Sequence, residues 1–484
     1  MTKENIVAIA TGGLVSSAIG IIRVSGTNIQ HIIKAVTHQE TLIPRHAYYQ
    51  KIYAVGDANH SADQNFLSNT VLDIALVIYF QGPNSFTGED VLEIQAHGNS
   101  VLLNNIVESC LKLGCRMAQA GEFSQRAYMN GKLDLVQAES IADLINAQSK
   151  AEINAALASL QGRFSQRIKL LNEALIKLRV FVEATLDFPE EDVDFIAGEQ
   201  VIQQMENISQ QMTTLLASVQ QGVLLNNGAK IVIVGQPNVG KSSLFNALAD
   251  EDVAIVTDIA GTTRDVLHRQ VVINGVTFNL LDTAGIRESD DVVEQIGVSR
   301  AVEAIAMADV CILLIDVCSY NNVGSGFSNV GTGFSEADKA LLAKVKEVLP
   351  REVPLIIVFN KIDKLATLSQ TQLQLSDSKL ASTQLAISVK NAIGLDQLKQ
   401  SLLNAVGYRD IASDDVFIAR TRHLDAVRRS QEHVNNALAC IGANQLELLA
   451  EELRLAHENL CTITGEFSSE DLLGEIFSSF CIGK

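Results

Sequence analysis

The stretch Gly235-Gln236-Pro237-Asn238-Val239-Gly240-Lys241-Ser242 sets two glycines, a lysine and a hydroxyl at the spacing GxxxxGKS. Backbone at Gly235 and Gly240 can curl so that successive N–H groups converge on an anion, a concavity suited to phosphate. Lys241 would hold the β- and γ-phosphates of a nucleotide, and the Ser242 hydroxyl would coordinate Mg²⁺. Downstream, Gly261-Thr262-Thr263-Arg264-Asp265 is a loop of the kind that orders around a γ-phosphate, with Thr263 as the natural Mg²⁺ ligand. In Asp282-Thr283-Ala284-Gly285, Asp282 would support the Mg²⁺ shell and the Gly285 N–H would sense the γ-phosphate. Asn360-Lys361-Ile362-Asp363 supplies a carboxylate that can accept two N–H bonds from guanine, at N1 and at the exocyclic amine. Adenine leaves that carboxylate unpaired, which is costly. Ser388-Val389-Lys390 completes the base site. Five motifs in this order imply GTP with Mg²⁺. The residue after Gly285 is Ile286, which cannot orient water, so Glu288, Asp290, Asp291 and Glu294 are the candidates for that task.

These residues need strand ends to hold them. Ile231 to Val234 reads as a buried strand entering the phosphate loop, and Ser243 to Leu248 as the helix leaving it. Leu280-Leu281 and Leu355 to Phe359 are apolar strands that end in the next two motifs. Strands alternate with helices to about Gly407, the pattern of a mostly parallel α/β sheet. Strand-like runs Ile19–Val24 and Val71–Phe80 mark a separate N-terminal region, and helical spacing begins near Leu133. None of the six prolines falls between Asn84 and Phe188 or after Leu355, and the chain from Ile418 onward is again helical. The stretch Ser319 to Phe334 is rich in Gly, Ser and Asn and reads as a long flexible surface loop. The fold class expected is multidomain α/β and all-α. A P-loop GTPase α/β domain is inserted in a helical domain and preceded by a small α+β domain.

A formal charge of −19 over 484 residues excludes a chain that grips nucleic acid through its own basic face. An RNA substrate then needs a partner to bring much of the positive surface. Seven cysteines without disulfide or zinc spacing suit reduced thiols in the cytoplasm. No secretory signal or membrane span is read.

Several stretches outside the nucleotide motifs carry a resemblance. They are Gly82-Pro83-Asn84-Ser85-Phe86-Thr87-Gly88-Glu89-Asp90, Gly121-Glu122-Phe123-Ser124, Lys132-Leu133-Asp134-Leu135 and the terminal Phe480-Cys481-Ile482-Gly483-Lys484. Within the nucleotide module, Pro237-Asn238 and Thr257-Asp258-Ile259-Ala260-Gly261-Thr262-Thr263-Arg264-Asp265 also fit. Over essentially its whole length the chain resembles the MnmE (TrmE) family of tRNA uridine-modifying GTPases. Two departures are the long 319–334 loop and Val389 where the family has Ala.

The resemblance implies a folate-binding and dimerising domain over 1–132 and helical-domain parts over 133–228 and 408–484, with the GTPase domain over 229–407. It implies a homodimer that works with MnmG, a flavoprotein whose FAD is its own, as a heterotetramer. Together they would install a carboxymethylaminomethyl or aminomethyl group at C5 of wobble uridine in certain tRNAs. A reduced folate (5-formyl- or methylene-tetrahydrofolate) would bind Arg23, Glu93, Lys132 and Lys484. Potassium would bind Asn238, Thr257, Ile259 and Thr262, and Glu294 would position water. Catalytic roles fall to Glu294, Lys241 and Cys481, the last either reactive or a mere lining thiol. GTP contacts extend over Asn238 to Ser243, Thr257 to Thr263, Asp282 to Gly285, Asn360 to Asp363 and Ser388 to Lys390, with Val239, Gly240, Ser243, Asp258, Ala260, Gly261, Thr283, Ala284, Lys361 and Ile362 among them. Two other readings share the nucleotide motifs. One is a regulatory GTPase such as a ribosome-assembly factor. The other is a scaffold that gates assembly without contributing to the transfer chemistry.

Overall fold

A computed structural model describes residues 4–11, 17–56, 67–187, 199–249, 269–281, 303–320, 334–364, 383–409, 416–442, 445–466, and residues 476, 480 and 483. The chain forms two compact units, one of residues 1–145, 159–209 and 429–484, the other of residues 146–158 and 210–428.

In the first unit, β1 (Ile6–Ile9), β2 (Ser17–Gly26), β3 (Ala47–Val55), β4 (Leu67–Phe80), β5 (Asp90–Gly98) and β6 (Arg116–Met117) form one sheet in the order β3-β4-β5-β2-β1-β6. Neighbours are antiparallel except β1 and β6. Alternation along the strands sends Ile22, Val24, Ala75, Val77, Leu92 and Ile94 into a core with residues of helices Gln30–Thr37 and Ser100–Lys112. Asn99 caps the second helix by accepting from the amides of Val101 and Leu102. The opposite face carries Ile19, Tyr49, Ile74 and Leu76, all exposed. Helices Arg163–Asp187 and Leu446–Thr464 pack together in the same unit.

A buried ionic network stiffens the end of this sheet. Arg126 donates to Glu89 at 2.8 Å and to Glu122 at 2.9 Å, and Arg116 donates to Glu122 at 2.6 Å. Burial alone would raise the Glu122 carboxyl, but Arg116, the Gln119 amide and Arg126 outweigh it and hold it at about 2. A depressed folded pKa stabilises the protein above the unfolded carboxylate range, and that stability drains as pH falls from about 4.3 toward 2. Urea unfolding across that window should show a falling midpoint, with a shallower fall in Glu122→Gln.

In the second unit the sheet order is β12-β11-β10-β7-β9-β8. The strands are β7 (Ala229–Val234), β8 (Arg269–Ile273), β9 (Val276–Leu281), β10 (Val310–Asp316), β11 (Leu355–Asn360) and β12 (Thr383–Ala386). All pairs are parallel except the β8–β9 hairpin. Its two-residue turn, Asn274-Gly275, has φ of +48° and +84°, which is why Asn-Gly stands there. β10 and β11 are apolar almost throughout because the sheet is covered on both faces. Parallel strands bring their C-terminal ends to one edge, so the segments after β7, β10, β11 and β12 converge.

Two expectations shift in detail. The helix after the phosphate loop is Lys241–Ala249, so Lys241 and Ser242 belong to its first turn. Of the loop expected over 319–334, Ser319 and Tyr320 close the short helix Val317–Tyr320. Phe334 is buried with its ring 6.4 Å from that of Phe359, because an aromatic at the edge of a glycine-rich run still finds the core. Residues 321–333 lie outside the described residues.

Candidate nucleotide and C-terminal sites

The phosphate loop turns because its glycines have no Cβ. A Cβ on Gly235 would stand 2.4 Å from the Leu314 carbonyl, and one on Gly240, at φ +103°, 2.6 Å from the Asn360 side-chain nitrogen. Asn238 takes φ +61°, which an asparagine tolerates. Its side chain is exposed, as are those of Ser242 and Ser243, whereas Val239 is buried and anchors the loop. The Lys241 ammonium donates to the Gly235 carbonyl at 2.8 Å and the Gln236 carbonyl at 3.1 Å. Burial lowers its pKa. The lysine is thereby laid along the loop it would serve.

The end of β11 ties this loop to the base-reading segment. Asn360, 3% exposed, donates from Nδ2 to the Val239 carbonyl at 2.9 Å and accepts from the Val389 amide at 3.2 Å. Lys361, at φ +69°, donates to the Asn238 carbonyl at 2.7 Å and pairs with Asp316 Oδ2 at 2.7 Å. Ile362 opens a 3-10 turn, and its amide donates to the Ile387 carbonyl at 3.3 Å. Asp363 accepts from the Ser388 hydroxyl at 2.6 Å, a bond that leads the causes holding its carboxyl below the ordinary range. Ser388 also accepts from the Asn391 amide at 3.3 Å. Asp363 is exposed with one carboxylate edge fixed, the state a bidentate acceptor needs. Val389 and Lys390 follow in the same turn.

A second cluster lies on the sheet of the first unit. Cross-strand pairing sets Arg23 opposite Glu93, and the guanidinium bonds the carboxylate at 2.7 and 3.0 Å. Arg23 also donates to the Gly483 carbonyl at 3.4 Å and lies 5.7 Å from the Phe86 and Phe123 rings. Lys132 donates to the Pro83 carbonyl at 3.0 Å. Gly483 has φ +95°, and a Cβ there would stand 2.6 Å from the Ile9 carbonyl, so only glycine fits. Ile476 and Phe480 pack with Leu135, Ala138 and Ala142, fixing the C-terminal segment on this unit. Arg23 and Glu93 are thus one ion pair.

Of the sequence-derived residues, Asn238 to Ser243, Asn360 to Asp363 and Ser388 to Lys390 share one sheet edge, and Arg23, Glu93 and Lys132 lie on the other unit with Gly483. Thr257 to Thr263, Asp282 to Gly285, Glu294, Cys481 and Lys484 lie outside the described residues. Asp316 escaped the sequence reading; its signal was an acid at the end of an apolar strand, Val310–Asp316.

The chain is similar to known proteins over its whole length. A family model described as the MnmE helical domain matches residues 135–481, and one described as the GTP-binding protein TrmE N-terminus matches residues 5–132. The chain is 44% identical over 494 residues to the tRNA modification GTPase MnmE of Legionella pneumophila (strain Corby), covering 100% of both chains. It is 44% identical over 490 residues to the same-named protein of Chromobacterium violaceum, covering 100% of this chain and 99% of that one. Among solved structures, Era from Aquifex aeolicus matches at 28% identity and TM-score 0.29, over 42% of this chain and 66% of that chain. The G domain of the T. maritima FeoB iron transporter matches at 24% identity and TM-score 0.25, over 37% of this chain and 98% of that chain.

Proposed function

The chain belongs to the MnmE family of tRNA modification GTPases, and from that premise we propose that it hydrolyses GTP, with potassium, in modifying C5 of wobble uridine. The observation that carries the GTPase reading is the double tie from Asn360 and Lys361 to the phosphate loop. It fixes the distance between the segment that recognises guanine and the loop that holds phosphate, so base and phosphates are read as one rigid ligand.

Each residue then has a task. Asp363 accepts from guanine, and Ser388 and the Val389–Lys390 turn back it. Lys241 moves from the carbonyls of Gly235 and Gln236 to phosphate oxygens. Ser242 and Thr263 would hold Mg²⁺, with Asp282 supporting them, and the ion would neutralise phosphate charge. The exposed Ser242 hydroxyl in the first helical turn suits this ligand. Asn238, exposed at the loop's tip, supplies an oxygen for potassium together with Thr257, Ile259 and Thr262. A monovalent cation held there would supply the positive charge that an arginine gives elsewhere, and Glu294 would orient the water that Ile286 cannot. Turnover should be about tenfold or more faster in potassium than in sodium at matched ionic strength. Asn238→Ala should erase the difference, and Glu294→Ala should bind GTP yet turn over slowly. Equal rates in both salts would overturn the cation's role.

The exposed apolar face with Ile19, Tyr49, Ile74 and Leu76 supports a homodimer formed through the N-terminal sheet. A reduced folate is proposed at Arg23, Glu93, Lys132 and Lys484. Gly483 on Arg23 supports a site that needs both ends of the chain. Removing residues 480–484 should weaken reduced-folate binding about tenfold by calorimetry; equal affinities would refute a C-terminal contribution. The partner is MnmG, carrying FAD and much of the tRNA contact, in a cytoplasmic heterotetramer. Methylene-tetrahydrofolate is the proposed one-carbon donor, with Cys481 proposed as a reactive or lining thiol of its site. Among the described residues no helix is long and apolar enough to cross a membrane.

A further inference from the structure

Residues 146–158 precede the nucleotide-binding sheet by some seventy positions yet belong to the same compact unit. The reason is a grip on the β8–β9 hairpin. Ser149-Lys150-Ala151-Glu152 begins helix Lys150–Leu160 as a capping arrangement, with the Ser149 hydroxyl accepting from the Glu152 amide at 3.1 Å. The same hydroxyl donates to the Gly275 carbonyl at 2.9 Å, at the hairpin turn. Glu152 spends both carboxylate oxygens: Oε2 accepts from the Gln148 amide at 2.7 Å, and Oε1 from the Thr277 hydroxyl at 2.6 Å. Thr277 and Glu152 are 6% and 7% exposed, so water does not compete. A Cβ on Gly275 would stand 2.4 Å from the Ala151 Cβ; the turn and the helix are in contact.

What the hairpin carries gives the grip its meaning. β9 lies parallel to β7, pairing Leu280 with Ile231 and Leu281 with Val232. One strand runs three residues past Val232 to Gly235 of the phosphate loop, and the other continues from Leu281 directly to Asp282. The axial position of β9 therefore sets where Leu281, its last residue, ends beside β7 as that strand enters the phosphate loop. Thr277 sits four residues before Leu281, about 13 Å along the strand. We propose that Thr277 and Glu152 are positioning residues for hydrolysis, fixing β9 so that the Asp282 segment meets the nucleotide in register. Losing the bond frees the far end of the strand, and displacements of an ångström remote from the reacting atoms slow catalysis without weakening binding in proportion.

The inference rests on the GTPase reading above, and one experiment separates the two. Turnover of the parent protein tests the reading, and the variant-to-parent ratio tests the inference. Thr277→Val keeps shape and strand propensity but removes the hydroxyl; Thr277→Ser keeps the hydroxyl. We expect kcat to fall about fivefold in Thr277→Val, with KM and GDP affinity within about twofold of the parent. Thr277→Ser should match the parent, and adding Glu152→Gln, which keeps an acceptor for the Gln148 amide, to Thr277→Val should lower kcat no further. If Thr277→Val does not fold, Ser149→Ala, which removes the neighbouring bond to Gly275, should show the same kcat-selective loss. An unchanged kcat in the folded variant overturns the proposal. So does a fall in kcat matched by GDP affinity, or one shared equally by Thr277→Ser.

Discussion

Asp363→Asn lowers affinity for GTP by about 100-fold or more and moves preference toward xanthosine nucleotides. The wild-type carboxylate offers two acceptor oxygens on one edge, and guanine presents two N–H donors at that spacing. Ser388 holds Oδ1 at 2.6 Å, so the group is oriented before the nucleotide arrives. Asparagine replaces one acceptor by a donor, which faces a guanine N–H and repels it. Xanthine carries an oxygen where guanine has the exocyclic amine, so the new donor finds a partner there. The carboxyl is also held below its ordinary range, first by the Ser388 bond, so the acceptor persists as pH falls toward the usual aspartate pKa of about 3.9. Fluorescent-nucleotide titration with GTP and XTP checks both arms. Unchanged GTP affinity would remove Asp363 from base recognition.

Asn360→Ala should cost comparably, through a different route. Both arms of this buried amide are used, one on the Val239 carbonyl and one on the Val389 amide. Truncation leaves a carbonyl and an N–H without these partners and a void beside Gly240, where the Asn360 nitrogen now sits in the place a Cβ would need. Each lost partner carries about 1–3 kcal/mol. Because the amide joins the phosphate loop to the base segment, nucleotide affinity should fall about 100-fold, for GDP as much as for GTP. Asn360→Asp should not rescue it, since a carboxylate cannot donate to Val239. Calorimetric titration with GDP decides: a loss below about threefold would mean that the loops hold each other by backbone contacts alone.

The sequence made the nucleotide module legible for a physical reason. Parallel buried strands write themselves as unbroken apolar runs, such as Leu355 to Phe359. Their chemistry sits at the next residues, so Gly235 to Ser242 and Asn360 to Asp363 could be placed without coordinates. Long-range side-chain pairing was not legible. Nothing local says that Lys361 reaches back across the chain to Asn238 and Asp316, or that Asn360 spends its amide on Val239. Arg23 and Glu93 were named singly, and only the register of β2 on β5 makes them one ion pair. The contacts of Ser149 and Glu152 with Gly275 and Thr277 likewise depend on folding. Phe334 shows the converse: glycine-rich composition marked a loop and hid a residue that returns to the core.

Whether GTP hydrolysis by this chain serves tRNA modification is decided by mass spectrometry of tRNA nucleosides. Total tRNA would be digested from cells lacking the protein, and from the same cells supplied with the parent or with Asp363→Asn. C5-substituted wobble uridines should disappear in the deletion, return with the parent, and stay absent or strongly reduced with Asp363→Asn. Unchanged levels of those nucleosides in the deletion would contradict that role.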